Sequence, residues 1–197
     1  MVKFFELMGL ATFNVMIALT LSTTVLNNRA ESGVSALSSE NITTFINDIG
    51  TVSAGLRPEM DQHTMVQFLM DHLTENGRYK TDISYSIGDA GAEERSMDMG
   101  RMEFISYVLQ GLKAMDKHET KTNIEYIKIE EGNRAAHVVI TNYERGMMPM
   151  DDGFGDIAKV PVLGTSYCEQ RVVLNDKKMI QLDGANCTTT ISFEEAF

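Results

Sequence analysis

The two cysteines are the residues whose type and spacing point most directly to a chemistry. Cys168 lies in the segment SYCEQRVVL and Cys187 in the segment MIQLDGANCTTTISF, and both segments are rich in β-branched and aromatic residues. Residues 175–178 (NDKK) supply a turn, so the region from Gly164 to Phe193 is expected to form a long β-hairpin. The pattern predicts a disulfide between the two arms, because neither cysteine lies in a motif that activates a thiolate.

The register of this hairpin decides whether the two sulfur atoms can meet. If Leu174 pairs with Met179, the residue opposite Cys168 is Ala185, which is two positions short of the second cysteine. A β-bulge, for which Gly184 is the natural place, would close the gap and bring the sulfur atoms within bonding distance.

Proton transfer is the other chemistry that the residue types would permit. His137 and Tyr143 share one face of a predicted strand, Tyr126 lies on the strand before it, and Glu169 and Arg171 lie near the disulfide. If that face lines a pocket, His137 and Tyr143 are the candidate catalytic residues, and Tyr126 joins them as a ligand-binding residue. If it is the outer face of the sheet, His137 is a structural residue instead.

Patterns typical of metal or cofactor sites do not occur in the sequence. The histidines His63, His72, His118 and His137 are scattered, with no helical i, i+4 pair and no cysteine at zinc-site spacing. The acidic cluster at 151–156 offers oxygen ligands but lacks the alternating ligands and distal glutamate of an EF-hand loop. We therefore expect no metal and no cofactor, and an acidic surface loop at 151–156.

The N-terminal segment predicts the compartment. An apolar run over residues 7–21 matches the h-region of a signal peptide and is shorter than the roughly 20 residues of a bilayer span. Small residues would allow cleavage before Thr23, which predicts export to a periplasm or to the medium, and a pair of cysteines fits an oxidising compartment. Two alternatives stay open: an uncleaved membrane anchor over residues 7–26, facing outside the cytoplasm, and a buried helix of a cytosolic protein.

Composition limits the domain count and the partners. The chain of 197 residues, 43% hydrophobic, is long enough for one core plus a targeting segment. We expect a signal peptide or anchor at 1–22, a polar linker at 23–38 and one domain at 39–197.

A net charge of −11 without any basic run argues against a nucleic-acid partner. Fourteen methionines and no tryptophan are typical of soft core packing or, alternatively, of a Met-lined groove.

Hydrophobic periodicity predicts helices first and strands later. A first helix is capped by Ser39 and ended by Gly55 and Pro58, and a second runs from Asp61 to the Asn76-Gly77 pair. A strand at 79–87 places Tyr79, Thr81 and Ile83 on a buried face and Lys80, Asp82 and Ser84 on a solvent face, so Asp82 is a weak catalytic candidate. The remaining expectations are a loop or edge strand at 88–96, a helix at 98–115, strands at 121–130, 134–144, 163–174 and 179–193, and a loop at 147–156.

This element order, with the passage from RMEFISYVLQGL to IKIEEGNRAAHVVI, resembles the nuclear transport factor 2-like superfamily, also called SnoaL-like or cystatin-like. The resemblance covers roughly residues 39–193 and implies an α+β fold in which a curved antiparallel sheet wraps a long third helix to form a cone. Enzymes of this fold place an acid or base inside the cone, whereas other members only bind ligands or proteins. The cysteines and the leader suggest an exported branch of the superfamily.

Two functions follow as expectations. The first is an exported, non-enzymatic binding module that holds an apolar small molecule in the cone or docks an envelope protein. The alternative is a lyase or isomerase of the ketosteroid-isomerase or SnoaL-like kind that uses His137 and Tyr143. A homodimer formed through the open sheet face is expected in either case, because that face carries few charges in the predicted phase.

Overall fold

A computed structural model describes residues 33–86, 92–151 and 157–193, and all structural statements below concern these residues. The predicted α+β class is confirmed. In chain order the elements are α1 (Ser39–Ser53), α2 (Gln62–His72), β1 (Leu73–Ser86), β2 (Ala92–Met99), α3 (Arg101–Gly111), β3 (Asp116–Ile129), β4 (Ala135–Asp151), β5 (Ile157–Leu174) and β6 (Ile180–Phe193).

All six described strands belong to one curved sheet in the order β2-β1-β6-β5-β4-β3. Strand β1 pairs with β6 in parallel, and every other neighbouring pair is antiparallel. The sheet is therefore mixed, whereas a purely antiparallel sheet was expected. The parallel pair arises because the first and last strands, which are far apart in sequence, meet in the middle of the sheet.

The helices cover one face of the sheet, which we call the inner face. Among the described residues, no element covers the other face, which we call the outer face. Side chains alternate between the two faces, so β4 places Ala136, Val138 and Ile140 on the inner face, each with no exposed surface. They pack in one core with apolar residues of the helices, among them Ile46, Phe104 and Val108. A second, smaller cluster, formed by Ile83, Met148, Val162 and Ile191, lies further along the same face.

Capping residues set the starts of the first two helices. Ser38, one residue before the predicted cap, closes α1: its hydroxyl accepts a hydrogen bond from the Asn41 amide, and the Asn41 side chain accepts one from the Ser38 amide. Asp61 caps α2 as predicted, because its carboxylate accepts from the Thr64 amide at 2.7 Å. Gly55 follows Ala54, the C-terminal cap of α1, with φ of 68°, a conformation that favours glycine.

Two predicted helices are too long at their C-terminal ends. Helix α2 stops at His72, and Asn76 and Gly77 lie inside β1, where the pairing with β6 shifts register. Leu73 explains the early change, because its fully buried side chain enters the core from an extended backbone. Helix α3 covers 11 residues, fewer than the 98–115 expected.

The expected phase of β1 is confirmed, and β1, β3, β4 and β5 are each longer than expected. Tyr79, Thr81 and Ile83 are buried while Lys80 and Asp82 are exposed, as predicted. Residues 92–99 form an edge strand, which is one of the two alternatives expected for this region, and residues 147–151 extend β4 rather than forming a loop. Residues 87–91 and 152–156, including most of the acidic cluster, lie outside the described residues.

The predicted linker contacts the domain over its described part. The Val34 amide donates to the Lys178 carbonyl, the Leu37 amide donates to the Asn133 carbonyl, and Leu37 is buried in the core. The boundary expected at residue 39 is therefore late, because the packed domain includes at least Val34. Within the described residues no helix has the length and apolar character needed to cross a membrane.

The disulfide between Cys168 and Cys187 is present, and the two residues are directly opposite on β5 and β6. The expected bulge at Gly184 closes only part of the two-residue gap. Leu174 pairs with Ile180 rather than Met179, which supplies one residue, and the neighbouring Asp183 is left unpaired as a bulge, which supplies the other.

Candidate functional site

The sequence-predicted site residues lie on the outer face, which is the second of the two alternatives that the sequence left open. Tyr126, Tyr143 and His137 are all exposed, and His137 forms a contact of 3.2 Å from its Nε2 atom to Glu130. The physical reason is the phase of β4, whose even-numbered residues face the helices. Whether these three residues bind a ligand on the outer face stays a prediction.

Two of the three predicted residues do meet. Tyr126 and His137 line a shallow groove of about 510 Å³ on the outer face, together with Lys80, Glu169 and Arg171. Tyr143 lies in a separate groove of about 410 Å³ with Lys121 and Leu163. Asp82, also on the outer face, accepts a hydrogen bond from the Ser96 hydroxyl at 2.6 Å.

A band of buried polar side chains crosses the inner face between the two apolar clusters. The register places Thr189, Ser166, Asn142 and Thr122 side by side on four neighbouring strands. The Ser166 and Thr189 hydroxyls lie 2.8 Å apart, and the Asn142 carbonyl oxygen accepts from Thr122 at 2.7 Å and from Thr120 at 3.2 Å. We call these four residues together with Thr120 the polar band; on β1 the row continues to the apolar Ile83.

His118 and Glu144 form an acid–base pair at one end of the polar band. The distance from Nε2 of His118 to Oε2 of Glu144 is 3.1 Å, although the ring N–H is not directed along the line between the atoms. The second carboxylate oxygen, Oε1, accepts from the Asn142 amide at 3.3 Å. The imidazole also hydrogen-bonds with the backbone carbonyl of Ala54, the C-terminal cap of α1.

Both groups of this pair hold a proton more tightly than usual. Burial raises the pKa of the Glu144 carboxyl and outweighs the contact with His118 and the hydrogen bond from Asn142, which act in the other direction. Burial acts to lower the pKa of the His118 imidazole, but contact with the Glu144 carboxylate and with the Ala54 carbonyl outweighs it and raises that pKa. Because the two groups interact directly, their protons are released in coupled steps that belong to the pair.

The geometry limits what this pair can do chemically. A general base must present a free nitrogen or oxygen to a substrate proton at about 2.6–3.2 Å. The Nε2 atom of His118 and the Oε2 atom of Glu144 face each other and have essentially no solvent-accessible surface. In this conformation the pair joins helix to sheet, and a substrate could reach it only after the core opens.

Further unpaired polar atoms lie around the pair and the disulfide. The Ser53 and Thr81 hydroxyls and both polar atoms of the Gln170 side chain are buried and make no hydrogen bond. Among the described residues no group of three or more His, Cys, Asp or Glu side chains is placed to hold a metal ion.

A sequence signal for Glu144 existed, but none pointed to His118. Glu144 is in phase with Ala136, Val138 and Ile140, so a carboxylate continues an apolar alternation, which indicates a buried acid. His118 lies near the start of β3, where the chain changes from helix to strand, and it does not continue an alternation of apolar residues.

Comparison with known proteins gives a likeness of fold. No protein-family profile matches the sequence, and no curated protein matches it either. Among solved structures, a conserved protein from Planctomyces limnophilus has a TM-score of 0.50 and 14% identity, over 76% of this chain and 97% of that one. The chain has the nuclear transport factor 2-like fold. A nuclear transport factor 2-like superfamily protein from Salmonella enterica follows with a TM-score of 0.42 and 11% identity, covering 75% of this chain and 87% of that one.

An enzyme is also among the similar structures. A hexachlorocyclohexane dehydrochlorinase (LinA), type 2, has a TM-score of 0.46 and 10% identity, over 80% of this chain and 92% of that one. Identities of this size concern the fold and transfer no activity. In this chain the acid and base that lie inside the core are His118 and Glu144, whereas His137 and Tyr143 lie on the outer face.

Proposed function

We propose that the protein is a non-enzymatic, exported binding module that docks a protein partner on the outer face of its sheet. The observation that carries this proposal is the concentration of half-exposed tyrosines there. Tyr126, Tyr143 and Tyr167 are 52%, 46% and 48% exposed, and Leu163 is 40% exposed beside them. Tyrosine is enriched in protein interfaces, since its ring buries a large area and its hydroxyl still hydrogen-bonds.

The inner face supports the same reading. Buried polar atoms of three side chains, His118, Glu144 and Gln170, make no hydrogen bond and have essentially no surface that a water molecule could reach. This part of the interior is therefore packed rather than open to a small molecule. A partner that uses the outer face needs no rearrangement of the core.

Export rests on the disulfide together with the leader sequence. The Cys168–Cys187 bond is buried within the core, and such a bond persists in an oxidising compartment.

Site-specific photo-crosslinking in the source cells tests the proposal. A benzophenone amino acid replaces Tyr167 in one variant and Met102, a 58% exposed residue of α3, in the matched control. We expect crosslinks to a protein from position 167 and none from position 102. The proposal is overturned if position 167 gives no protein crosslink, or if both positions give the same set of products.

The second candidate function is a lyase or isomerase, and the buried acid–base pair is the observation in its favour. It now depends on His118 and Glu144, and it requires the interior to open far enough for a substrate to reach Nε2. Chemical modification of His118, described in the Discussion, separates this candidate from the first.

A further inference from the structure

Three methionines lie close together where the edge strand β2 leads into helix α3. Met97 and Met99 belong to β2, and Met102 is the second residue of α3, so their spacing is Met-x-Met-x-x-Met. All three line a groove of about 550 Å³ between β2 and the solvent-facing side of α3, which we call the methionine groove. The sequence left a Met-lined groove open as an alternative to soft core packing, and this region of the structure provides one.

The backbone of β2 directs two of the three side chains to the same place. Met97 and Met99 are two residues apart on one strand, so their side chains lie on the same face. This is the inner face, because their partners on β1, Thr81 and Tyr79, are buried there. Their Cα atoms are about 7 Å apart. Methionine side chains are long and unbranched, with three rotatable bonds each, so the two sulfur atoms can approach a common point.

The turn between β2 and α3 fixes the third side chain relative to the other two. Gly100 is the N-terminal cap of α3, and its amide donates a hydrogen bond to the Glu103 carboxylate at 2.7 Å. This bond holds the first turn of the helix, which carries Met102, against the end of the strand. The placement of the three thioethers therefore depends on a strand, a cap and a helix rather than on a loop.

The three methionines reach from the core to the solvent. Met99 is 7% exposed and belongs to the main core, Met97 is half-buried, and Met102 is 58% exposed. Among the described residues Met102 is the only methionine classed with the exposed hydrophobic side chains. An isolated exposed methionine is ordinary. Beside two further thioethers, it gives a small ligand access from the solvent to partly desolvated sulfur atoms.

We propose that the methionine groove binds Cu(I), held by the thioether sulfur atoms of Met97, Met99 and Met102. Thioethers are soft ligands and select Cu(I), whereas calcium and magnesium take oxygen ligands and zinc takes mainly cysteine and histidine. Among the described residues no group of three His, Cys, Asp or Glu side chains competes for a metal. Both cysteines are joined in the disulfide, so the sulfur ligands that remain for a metal are thioethers.

The charges around the groove favour a cation. Asp98 and Glu103 line it with the methionines. Asp98 is compensated by Arg78, with 2.8 Å between Oδ1 and Nη2, whereas Glu103 forms no ion pair within the described part of the chain. The neighbouring Arg101 is directed away, because its Nη1 atom donates to the Met70 carbonyl at 3.4 Å. The groove therefore carries a net negative charge, which attracts a cation.

Nuclear magnetic resonance of the purified chain, isotope-labelled at its methionine methyl carbons, tests the three ligands separately. Silver(I) is the probe, because it is diamagnetic and, like Cu(I), a soft cation. We expect the methyl signals of Met97, Met99 and Met102 to shift together as silver nitrate is added, while the other methionine signals stay in place. Leucine substitution of each methionine assigns its signal and conserves the side-chain volume. Calcium and zinc salts should shift none of the three signals.

Competition for Cu(I) with the chelator bicinchoninate, in anaerobic buffer with ascorbate, measures the affinity. Met97→Leu and Met102→Leu should each raise the dissociation constant about tenfold or more, because loss of even an outer-shell partner costs that much in metal affinity. Met60→Leu is the matched control. Met60 is half-buried, as Met97 is, but it lies outside the methionine groove, so its substitution should leave the dissociation constant unchanged.

Three results would overturn the proposal: no methyl shift, a silver-induced shift of Met102 alone, or an unchanged dissociation constant in Met102→Leu. The outer-face docking function is tested separately, because Met97 and Met99 face the inner side and the ion site does not include Tyr167. Met102→Leu should leave the crosslink from position 167 in place. A chain that binds Cu(I) through the three methionines without giving that crosslink would retain the ion site and contradict the docking function.

Discussion

Nε2 of His118 lies 3.1 Å from Oε2 of Glu144, and the two side chains are only 9% and 1% exposed. An isolated charge at this depth would be strongly destabilising, so the two groups compensate each other. His118 lies near the start of β3, Glu144 lies on β4, and Ala54 caps α1, so the pair connects the end of the first helix to the sheet. The pair has consequences for stability that can be measured.

We expect the free energy of unfolding to decrease as the pH rises above 4.5, the ordinary pKa of a glutamate, and to continue to decrease above 6.5, the ordinary pKa of a histidine. Glu144 has a folded-state pKa above its ordinary 4.5, and His118 has one above its ordinary 6.5. The folded protein therefore binds these protons more tightly than the unfolded chain does. Their stabilisation is complete below the unfolded pKa and is lost as the pH rises through the folded pKa. Asp61 and Asp116, whose pKa values lie below the ordinary 3.8, act in the opposite direction and only at lower pH.

Urea denaturation at a series of pH values measures this slope. The control is the double variant His118→Gln with Glu144→Gln, which removes both titrating groups and keeps the side chains close to their original size. The double variant should lose less stability than the wild type over the same pH range. If the free energy of unfolding has the same pH dependence in both proteins, the pair does not link folding to proton binding.

A second prediction concerns access to the imidazole. Diethyl pyrocarbonate acylates unprotonated imidazole nitrogen atoms that solvent can reach. We expect His137, whose side chain is 58% exposed, to react about tenfold or more faster than His118, because modification of His118 requires local opening of the core. Peptide mass spectrometry of the folded protein compares the two rates. Equal rates would mean that the interior opens readily, and they would favour the lyase or isomerase over the docking module.

The sequence indicates much of the fold but not the direction of every strand face. Alternation was unambiguous in β1, where Tyr79, Thr81 and Ile83 are all on the inner face. It was ambiguous in β4, because the inner phase includes the polar Asn142 and Glu144 while the outer phase includes Val139 and Tyr143. The polar band therefore reduces the difference in hydrophobicity between the inner-face and outer-face residues of β4, the strand on which the candidate site lies.

Long-range pairing is the part that local patterns do not encode. The disulfide partners were predicted from chain spacing because both arms belong to one hairpin. The parallel pairing of β1 with β6 and the contact of His118 with Glu144 depend on how separate hairpins and helices assemble. No periodicity within a single segment reports such contacts.

The disulfide should contribute substantially to stability. It closes a loop with a sequence separation of 19 residues, for which chain entropy predicts about 3 kcal/mol. We expect the double variant Cys168→Ala with Cys187→Ala to lose about that much free energy of unfolding in urea. Alanine is preferable to serine here, because a serine hydroxyl at either buried position would lack a hydrogen-bond partner. Thr188→Ala, an exposed neighbour on β6, is the control and should change stability by less than about 0.5 kcal/mol.

The last prediction concerns processing of the chain in its source cells. Intact-mass spectrometry should detect a protein that lacks about 22 N-terminal residues and is two hydrogen atoms lighter than the reduced chain, because signal cleavage and disulfide formation both belong to export. A full-length, oxidised chain would indicate the membrane-anchored alternative, since the disulfide still requires an oxidising compartment. A full-length, reduced chain would contradict export. Native spectra of the same preparation provide an independent check. An oxidised dimer would support the expected homodimer, whereas a monomer with a bound small molecule would indicate a ligand site in the interior.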